Sequence, residues 1–283
     1  MEYLLQLSLN LFIKQDAVII TAFTNNNTSF YFSNINVISE IKSLLPDIKL
    51  TSEDIPIIQI AMPSFYSKNA LYMIPMYHEL GHFIDRQFSI SEYMLLTANP
   101  TVISYLDLPQ EFNDLSQDGR NFVLRHHFSE YFCDTFAACF VGETITDFLF
   151  ELGASDLDSA THPATSKRSE HVKNFLSSRE TPLTSFLNEA ISALGMQKLN
   201  TFFSAPDIVT HLNETVTFPI KSTEEAHGTL VSYWGFLKRA YRDTDLKNYS
   251  QVFRVTNDLV IKSIRNFSIR ERWSFVNSNS SGT

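Results

Sequence analysis

Alternating apolar and polar positions near the start of the chain predict a small β-sheet. The segments DAVIITAF, residues 16–23, and SFYFSN, residues 29–34, flank the polar turn TNNNT and are typical of two strands. The isoleucine-rich run IPIIQIAMP, residues 55–63, predicts a third strand. Between them, NVISEIKSLL, residues 36–45, predicts a short helix that ends before Pro46.

From residue 75 onward, apolar side chains recur at three- and four-residue spacing, which predicts a helical body. The predicted helices span residues 75–89, 119–141, 144–152, 163–178, 182–194, 222–241 and 247–265. Helix starts are indicated by Thr181 before Pro182, by Thr161 and His162 before Pro163, and by Ser222 three residues before Glu225. The pattern therefore predicts an α+β fold that is mainly helical. Its predicted parts are an α/β part with a small sheet at 1–66, a helical core at 67–180, a C-terminal helical part at 181–275 and a disordered tail at 276–283.

Composition and charge favour a soluble globular protein. Of the 283 residues, 44% are apolar and 19% are charged, and the net charge is -9. No long run of lysine and arginine is present, which argues against a nucleic-acid partner. The N-terminus lacks the basic region of a signal peptide, and no apolar run reaches the ~20 residues needed to cross a bilayer. Because Cys133 and Cys139 lie on one predicted helix, we expect reduced thiols and a cytoplasmic location.

The stretch MYHELGHFID, residues 76–85, carries the pattern His78-Glu79-x-x-His82. Residues four apart lie on the same face of a helix, so both histidines can bind one metal ion. Glu79 lies about 100° around the helix, where it can hold a metal-bound water without binding the metal. Gly81 would let another segment approach closely. The alternative is an amphipathic helix with two surface histidines, which would not explain the glutamate in the catalytic position.

A catalytic zinc site needs a third protein ligand. A third histidine on the same helix is excluded, since Asp85 and Phe88 occupy the positions that would carry glycine and histidine. In HHFSEYFCDTFAACFVG, residues 126–142, Glu130 and Asp134 share a helix face, and a buried pair of carboxylates is costly without a cation. We therefore expect Glu130 to bind the metal and Asp134 to accept a hydrogen bond from a ligand histidine.

Three neighbours of Glu130 are less favoured candidates for contact with the metal or the substrate. His126 and His127 lie one turn before it and are alternative ligands or substrate contacts, although solvated or capping roles are favoured. Cys133 lies near the same face, where packing is favoured over contact with the metal.

A third segment, THPATSKR, places His162 before Pro163 and Arg168 six residues after the histidine. The imidazole can point out of a loop into a neighbouring site, and the guanidinium can neutralise a carboxylate. Taken alone, a histidine before a proline is more often a cap or a loop residue. A functional role for the segment is supported by its position after the other two motifs.

The order HELGH at 78–82, EYFCD at 130–134 and HPATSKR at 162–168 resembles the gluzincin peptidases, and within them the CAAX prenyl protease and HtpX group. The resemblance covers roughly residues 70–170 and implies a zincin-like catalytic core. The HtpX type carries transmembrane helices, and this chain has none. The ImmA/IrrE-type regulators are a looser match, since they also pair HELGH with a later helix containing FAA. The roles that the resemblance implies are zinc ligands at His78, His82 and Glu130, a base at Glu79, support from Asp134, and His162 with Arg168 at the border of the site.

These observations predict a zinc metalloendopeptidase that holds one zinc ion per chain and hydrolyses a protein or peptide substrate. We expect His162 to donate to the oxyanion, with Tyr77 or Tyr131 as weaker candidates. The strand at 55–63 is expected to present its edge to an extended substrate. Two alternatives stay open: a metal-binding regulatory protein of peptidase fold whose cleavage is controlled by a protein partner, and a helical interaction module without catalysis.

Overall fold

The structure, a computed structural model, describes residues 2–14, 17–24, 31–35, 57–151, 155–243 and 245–280. Its strands are β1 (Val18–Thr24), β2 (Tyr31–Ile35) and β3 (Ile57–Pro63). The helices of the described ranges are α1 (Glu2–Asn10), α2 (Met73–Phe88), α3 (Ile90–Thr97), α4 (Pro100–Tyr105), α5 (Gln110–Asn113), α6 (Gln117–Val141), α7 (Thr144–Glu151), α8 (Thr165–Leu176), α9 (Pro182–Ala193), α10 (Val209–Asn213), α11 (Thr223–Asp243) and α12 (Leu246–Ser280). Short 3-10 turns at Ser64–Tyr66 and Ala70–Tyr72 precede α2. The predicted α+β, mainly helical class is confirmed.

The sheet has the strand order β1-β3-β2. β3 pairs with β1 in parallel, with Val18 opposite Ile57, and with β2 antiparallel, with Tyr31 opposite Ala61. Both edges of β3 are therefore paired, and the prediction that this strand offers an edge to a substrate is wrong. Among the described strands, β2 lies at the edge of the sheet and also contacts α2.

The helix starts agree with the sequence patterns at two of three places. Thr181 caps α9, with its hydroxyl accepting from the Thr184 backbone N–H at 3.1 Å. The Ser222 hydroxyl accepts from the backbone N–H of Glu225 at 3.2 Å at the start of α11. The third helix begins at Thr165 and not at residue 163. Its start is fixed by Asp158 and Asp156, which accept from the backbone N–H groups of Ala164 at 2.7 Å and Ser166 at 2.8 Å.

Several short helices were not predicted, and one helix is longer than predicted. α1 buries Leu4, Leu5 and Leu9, and α3, α4, α5 and α10 connect the longer helices. α12 continues to Ser280, past the predicted end at 265 and into the residues predicted to be disordered from 276. The predicted helix at 36–45 lies outside the described residues.

The core is built around α2 and α6, which pack along each other. Phe132, Phe136 and Phe140 on α6 and Tyr77 on α2 are fully buried, and the buried apolar side chains form one connected cluster from α1 to α12. Both cysteines are buried free thiols. None of the described helices combines the length and the apolar character that crossing a membrane requires.

Two buried histidines predict a loss of stability in acid. Burial lowers the pKa of His171 and of His227 to about 4, from an ordinary value of 6.5. Because the folded pKa lies below the unfolded one, the unfolded chain binds more protons between these values. The stability that depends on these two neutral histidines is therefore complete above about pH 6.5 and is lost as the pH falls towards 4. At about 1.4 kcal/mol per pKa unit, each histidine accounts for roughly 3 kcal/mol.

Urea unfolding at about pH 7 and about pH 4.5 measures this loss. His227→Gln removes one of the two titrating rings, so its free energy of unfolding should fall less on acidification than that of the wild type. An equal fall in the variant and the wild type would contradict the assignment.

Candidate metal centre

The site forms where α2 and α6 approach each other closely at Gly81. A Cβ atom at Gly81 would lie 2.9 Å from the Cα of Cys133, closer than real Cβ atoms come to backbone. Only glycine therefore permits this helix spacing. The close approach sets the row of His78 and His82 on α2 against Glu130 on α6.

Both histidines direct Nε2 at the same buried carboxylate. His78 Nε2 lies 3.3 Å from Glu130 Oε2, and His82 Nε2 lies 3.4 Å from Glu130 Oε1. Glu130 Oε2 is buried, and none of its close contacts has hydrogen-bond geometry. A buried acceptor in this condition is costly unless a cation or a better donor reaches it. Two imidazoles and one carboxylate are also the donor types of catalytic zinc sites.

Asp134 and Arg168 lie directly behind this group. Asp134 Oδ1 is 3.0 Å from His78 Nδ1. Arg168 donates through Nε to Asp134 Oδ2 at 2.6 Å and through Nη2 to Asp134 Oδ1 at 2.7 Å. Arg168 Nη2 also lies 3.2 Å from Glu130 Oε2. The predicted residues of the second and third motifs thus meet the first motif in one buried ionic cluster of His78, Glu130, Asp134 and Arg168.

The pKa shifts in this cluster follow from its charges. Burial would lower the pKa of His78, but Glu130 and Asp134 outweigh it and raise the pKa to about 10. Burial would raise the pKa of Glu130, but His78 and Arg168 hold it well below its ordinary value. Arg168 likewise keeps the pKa of Asp134 below its ordinary value against the effect of burial. A metal ion bound here would take the place of the proton on His78.

The other nitrogen of His82 is held by a chain of hydrogen bonds. His82 Nδ1 lies 3.2 Å from Ser129 Oγ, which donates to Asp85 Oδ2 at 2.6 Å. Ser91 donates to the same carboxylate through its backbone N–H at 2.7 Å and its hydroxyl at 2.9 Å. Such partners fix the orientation of a ligand ring. Ser129 and Ser91 belong to no recognisable motif, so the sequence carries no signal for either residue.

Cys133 offers an alternative donor. Its Sγ lies 3.2 Å from His82 Nδ1, and one ligand atom each from His78, His82 and Cys133 fall within 4.8 Å of one another. These three residues could hold a metal ion. Burial and the neighbouring carboxylates raise the pKa of the Cys133 thiol well above its ordinary value, which disfavours the thiolate that a metal would need. The set of two Nε2 atoms and Glu130 also requires the loss of one proton, from His78, whose pKa the neighbouring carboxylates raise.

A cleft of about 440 Å³ adjoins Glu79 and His82. Glu79, His82, His126 and Ser129 line its inner wall, and Tyr31 of β2 also borders it. Burial raises the pKa of Glu79 above its ordinary value, although the two neighbouring histidines of its helix counter the effect. Glu79 borders the cleft, one residue and about 100° around the helix from His78.

His162 lies at the mouth of the site on the loop before α8. Its Nε2 is 3.6 Å from Glu130 Oε1, its Nδ1 is 2.8 Å from Thr161 Oγ1, and 58% of its side chain is exposed. The loop is supported by His127, whose Nε2 donates to the Ser159 carbonyl at 2.8 Å.

The other three candidates occupy different places. His126 lines the cleft, half-buried beside Phe122, as a candidate substrate contact. Tyr77 is fully buried with its hydroxyl 2.8 Å from His227 Nδ1, and Tyr131 is also buried. Neither tyrosine is placed to meet a substrate in the cleft, so these two weaker predictions are wrong.

Comparison with known proteins adds no family to this picture. A scan against protein-family models, a search of curated proteins and a search of solved structures each return no match for this chain. The geometry of the site itself is therefore the basis for its function.

Proposed function

We propose that this chain is a zinc-dependent metallopeptidase. The observation that carries the proposal is the convergence of His78 Nε2 and His82 Nε2 on the buried carboxylate of Glu130, with Glu79 directed to an adjoining cleft. One face of α2 would hold the ion, and the next position along the helix would carry the base. The cleft beside Glu79 supplies room for a peptide.

When bound, a zinc ion would supply an acidified water and a polarised carbonyl, with one ion per chain. Glu79 takes a proton from the attacking water as its oxygen bonds to the scissile carbon, and delivers that proton to the amine as the C–N bond breaks. The raised pKa of Glu79 suits a group that must both accept and return a proton at neutral pH. His162, which is exposed at the mouth of the site, can donate through Nε2 to the negative charge that develops on the carbonyl oxygen.

The substrate class follows from the sheet. β2 is an edge strand beside α2, and its Tyr31 borders the cleft. An extended peptide could add to β2 and lie along the cleft past Glu79. We therefore propose β2, and not β3, as the substrate edge, and proteins or peptides in extended conformation as the substrates.

The metal content of matched variants tests the donor set. Purified protein should hold about one zinc per chain. His78→Ala, His82→Ala and Glu130→Ala should each empty the site, because each removes one of three ligands. Cys133→Ser should keep the metal. Metal analysis after dialysis measures occupancy, and the absorption spectrum of the cobalt-substituted protein reports whether a thiolate is bound.

If Cys133→Ser loses the metal and Glu130→Ala keeps it, the third ligand is the Cys133 thiol and not the Glu130 carboxylate. Absence of metal in the wild type after growth and refolding with zinc would favour the interaction module. If the protein holds metal but produces no new N-termini in a proteome, the result would favour the metal-binding regulator whose cleavage is controlled by a partner.

A further inference from the structure

A second cleft of about 940 Å³ lies apart from the candidate metal centre. It is enclosed by α11, the start of α12, α7 and the 3-10 turn that precedes α2. Aromatic rings from separate elements line it: Tyr72 before α2, Phe148 on α7, Trp234 on α11 and Tyr249 on α12. The proposed peptidase chemistry uses none of these residues.

α11 contributes two parallel rows to this cleft. Trp234, Lys238 and Tyr241 form one row at positions i, i+4 and i+7, and the second row lies one residue further on. The members of the second row are Gly235, Arg239 and Arg242. One helix face therefore combines flat rings with cations in a chain whose net charge is -9.

The cations of the two rows differ in their partners. Lys238 forms an ion pair with Asp147. Within the described part of the chain, no carboxylate pairs with Arg239 or Arg242, and both side chains are exposed. Two arginines three residues apart on one helix face thus offer guanidinium groups to the cleft without an internal counter-ion.

Trp234 is held in place before any ligand arrives. Its Nε1 donates to Asp147 Oδ2 at 3.2 Å, and its ring packs edge-on against Phe148 with centroids 5.8 Å apart. Lys238 Nζ lies 5.7 Å from the centroid of the indole. Tyr72, before α2, stacks on Tyr66 at 3.6 Å between centroids. A planar ligand would meet aromatic surfaces whose orientation is already fixed, which lowers the entropic cost of binding.

Gly235 carries no side chain at the wall of the cleft, and the exposed Arg239 side chain lies next to it. A Cβ atom there would meet only Arg239 Nη1, at 3.8 Å, so no packing of the protein itself requires glycine. Glycine is among the least favourable residues in a helix interior, and this one lies within a helix of 21 residues. Close approach of a flat ligand to the helix backbone would account for its presence.

We propose that this cleft binds a free nucleotide, with the base over Gly235 against Trp234 and the phosphate against Arg239 and Arg242. The aromatic walls fit a planar ring by stacking, which depends little on the identity of the base. The two guanidinium groups fit a phosphate by paired charge-assisted hydrogen bonds. The inference is independent of the peptidase proposal, since the two clefts share no residue.

Tryptophan fluorescence tests the site directly. The chain has two tryptophans, so Trp273→Phe leaves Trp234 as the single reporter. ATP and AMP should quench its emission saturably. Adenosine lacks the phosphate and should bind at least ~10-fold more weakly than AMP. Tripolyphosphate lacks the ring and should bind at least ~10-fold more weakly than ATP. Gly235→Leu and the double variant Arg239→Glu/Arg242→Glu should each weaken AMP binding by at least ~10-fold in the same background.

The matched control is Arg254→Glu/Arg265→Glu on α12, which changes the net charge equally at exposed positions outside the cleft. It should bind AMP like the parent protein, and circular dichroism should show that all variants are folded. If AMP binding is weakened equally in the control, the effect comes from the net charge of the protein, and the proposed site is wrong. Unchanged binding by Gly235→Leu, no quenching by any nucleotide, or tighter binding of a single-stranded oligonucleotide than of AMP would also overturn the site.

Discussion

Glu79→Gln is expected to retain zinc and fold while losing at least ~10²-fold in the rate of peptide-bond hydrolysis, the usual scale for removal of a general base. Glu79 borders the cleft beside His82 and is not one of the groups that converge on Glu130. An amide of the same shape can fill the position but cannot take the proton from water. Mass spectrometry of new N-termini in a proteome treated with wild type or variant measures the rate, and metal analysis measures the zinc.

Glu92→Gln provides the matched control. Glu92 lines the same cleft, but it is about half exposed and its carboxylate is 2.8 Å from Arg125 Nη1. Loss of this rim charge should leave turnover close to that of the wild type, because surface ion pairs contribute little. The mechanism fails if Glu79→Gln cleaves as fast as the wild type, or if Glu92→Gln is equally inactive.

Arg168→Met is expected to destabilise the protein by about 3–5 kcal/mol, the range for breaking a buried ion pair from one side. Arg168 is buried and makes two hydrogen bonds to Asp134 while also contacting Glu130. Methionine keeps most of the apolar stem but removes the guanidinium, which leaves Asp134 beside His78 and Glu130 beside the histidines of the site. Urea unfolding at neutral pH measures the free energy of unfolding. Arg168→Lys should show an intermediate loss, since lysine restores the charge without the planar two-bond geometry.

The adjacent residue offers a control for this effect. Lys167 also pairs with a carboxylate, with its Nζ 2.6 Å from Asp158 Oδ2, but 30% of its side chain is exposed. Lys167→Met should cost about 1 kcal/mol, as for partly solvated pairs. A loss for Arg168→Met no larger than that of Lys167→Met would mean that the buried cluster is not the source of stability.

Much of the candidate site could be predicted because its parts are local. His78 and His82, and likewise Glu130 and Asp134, are each four residues apart on a helix, so helical periodicity alone sets each pair on one face. Gly81 could be recognised as a point of close approach because glycine has no side chain, and its contact with Cys133 confirms that expectation. The main helices were found from their spacing of apolar residues.

Contacts between distant segments could not be predicted in this way. Ser129 meets Asp85 and His82 across 44 and 47 residues, and no periodic pattern records that pairing. The proximity of Cys133 to His82 was missed because spacing on one helix does not specify the register of a second helix packed against it. The start of α8 was misplaced because side chains from the preceding loop, Asp156 and Asp158, supply the caps that Pro163 was expected to mark.

The sequence by itself determined the mainly helical α+β class and the faces on which the site residues lie, since both depend on interactions within a few residues along the chain. Only the tertiary structure decided that β3 lies between β1 and β2, so that β3 has no unpaired edge. It also decided that Arg168 joins Glu130 and Asp134 in one buried cluster, and that the rings before α2 and on α7 meet the cationic face of α11. These arrangements depend on how whole elements share a common core, and burial and packing across long separations in sequence set that choice.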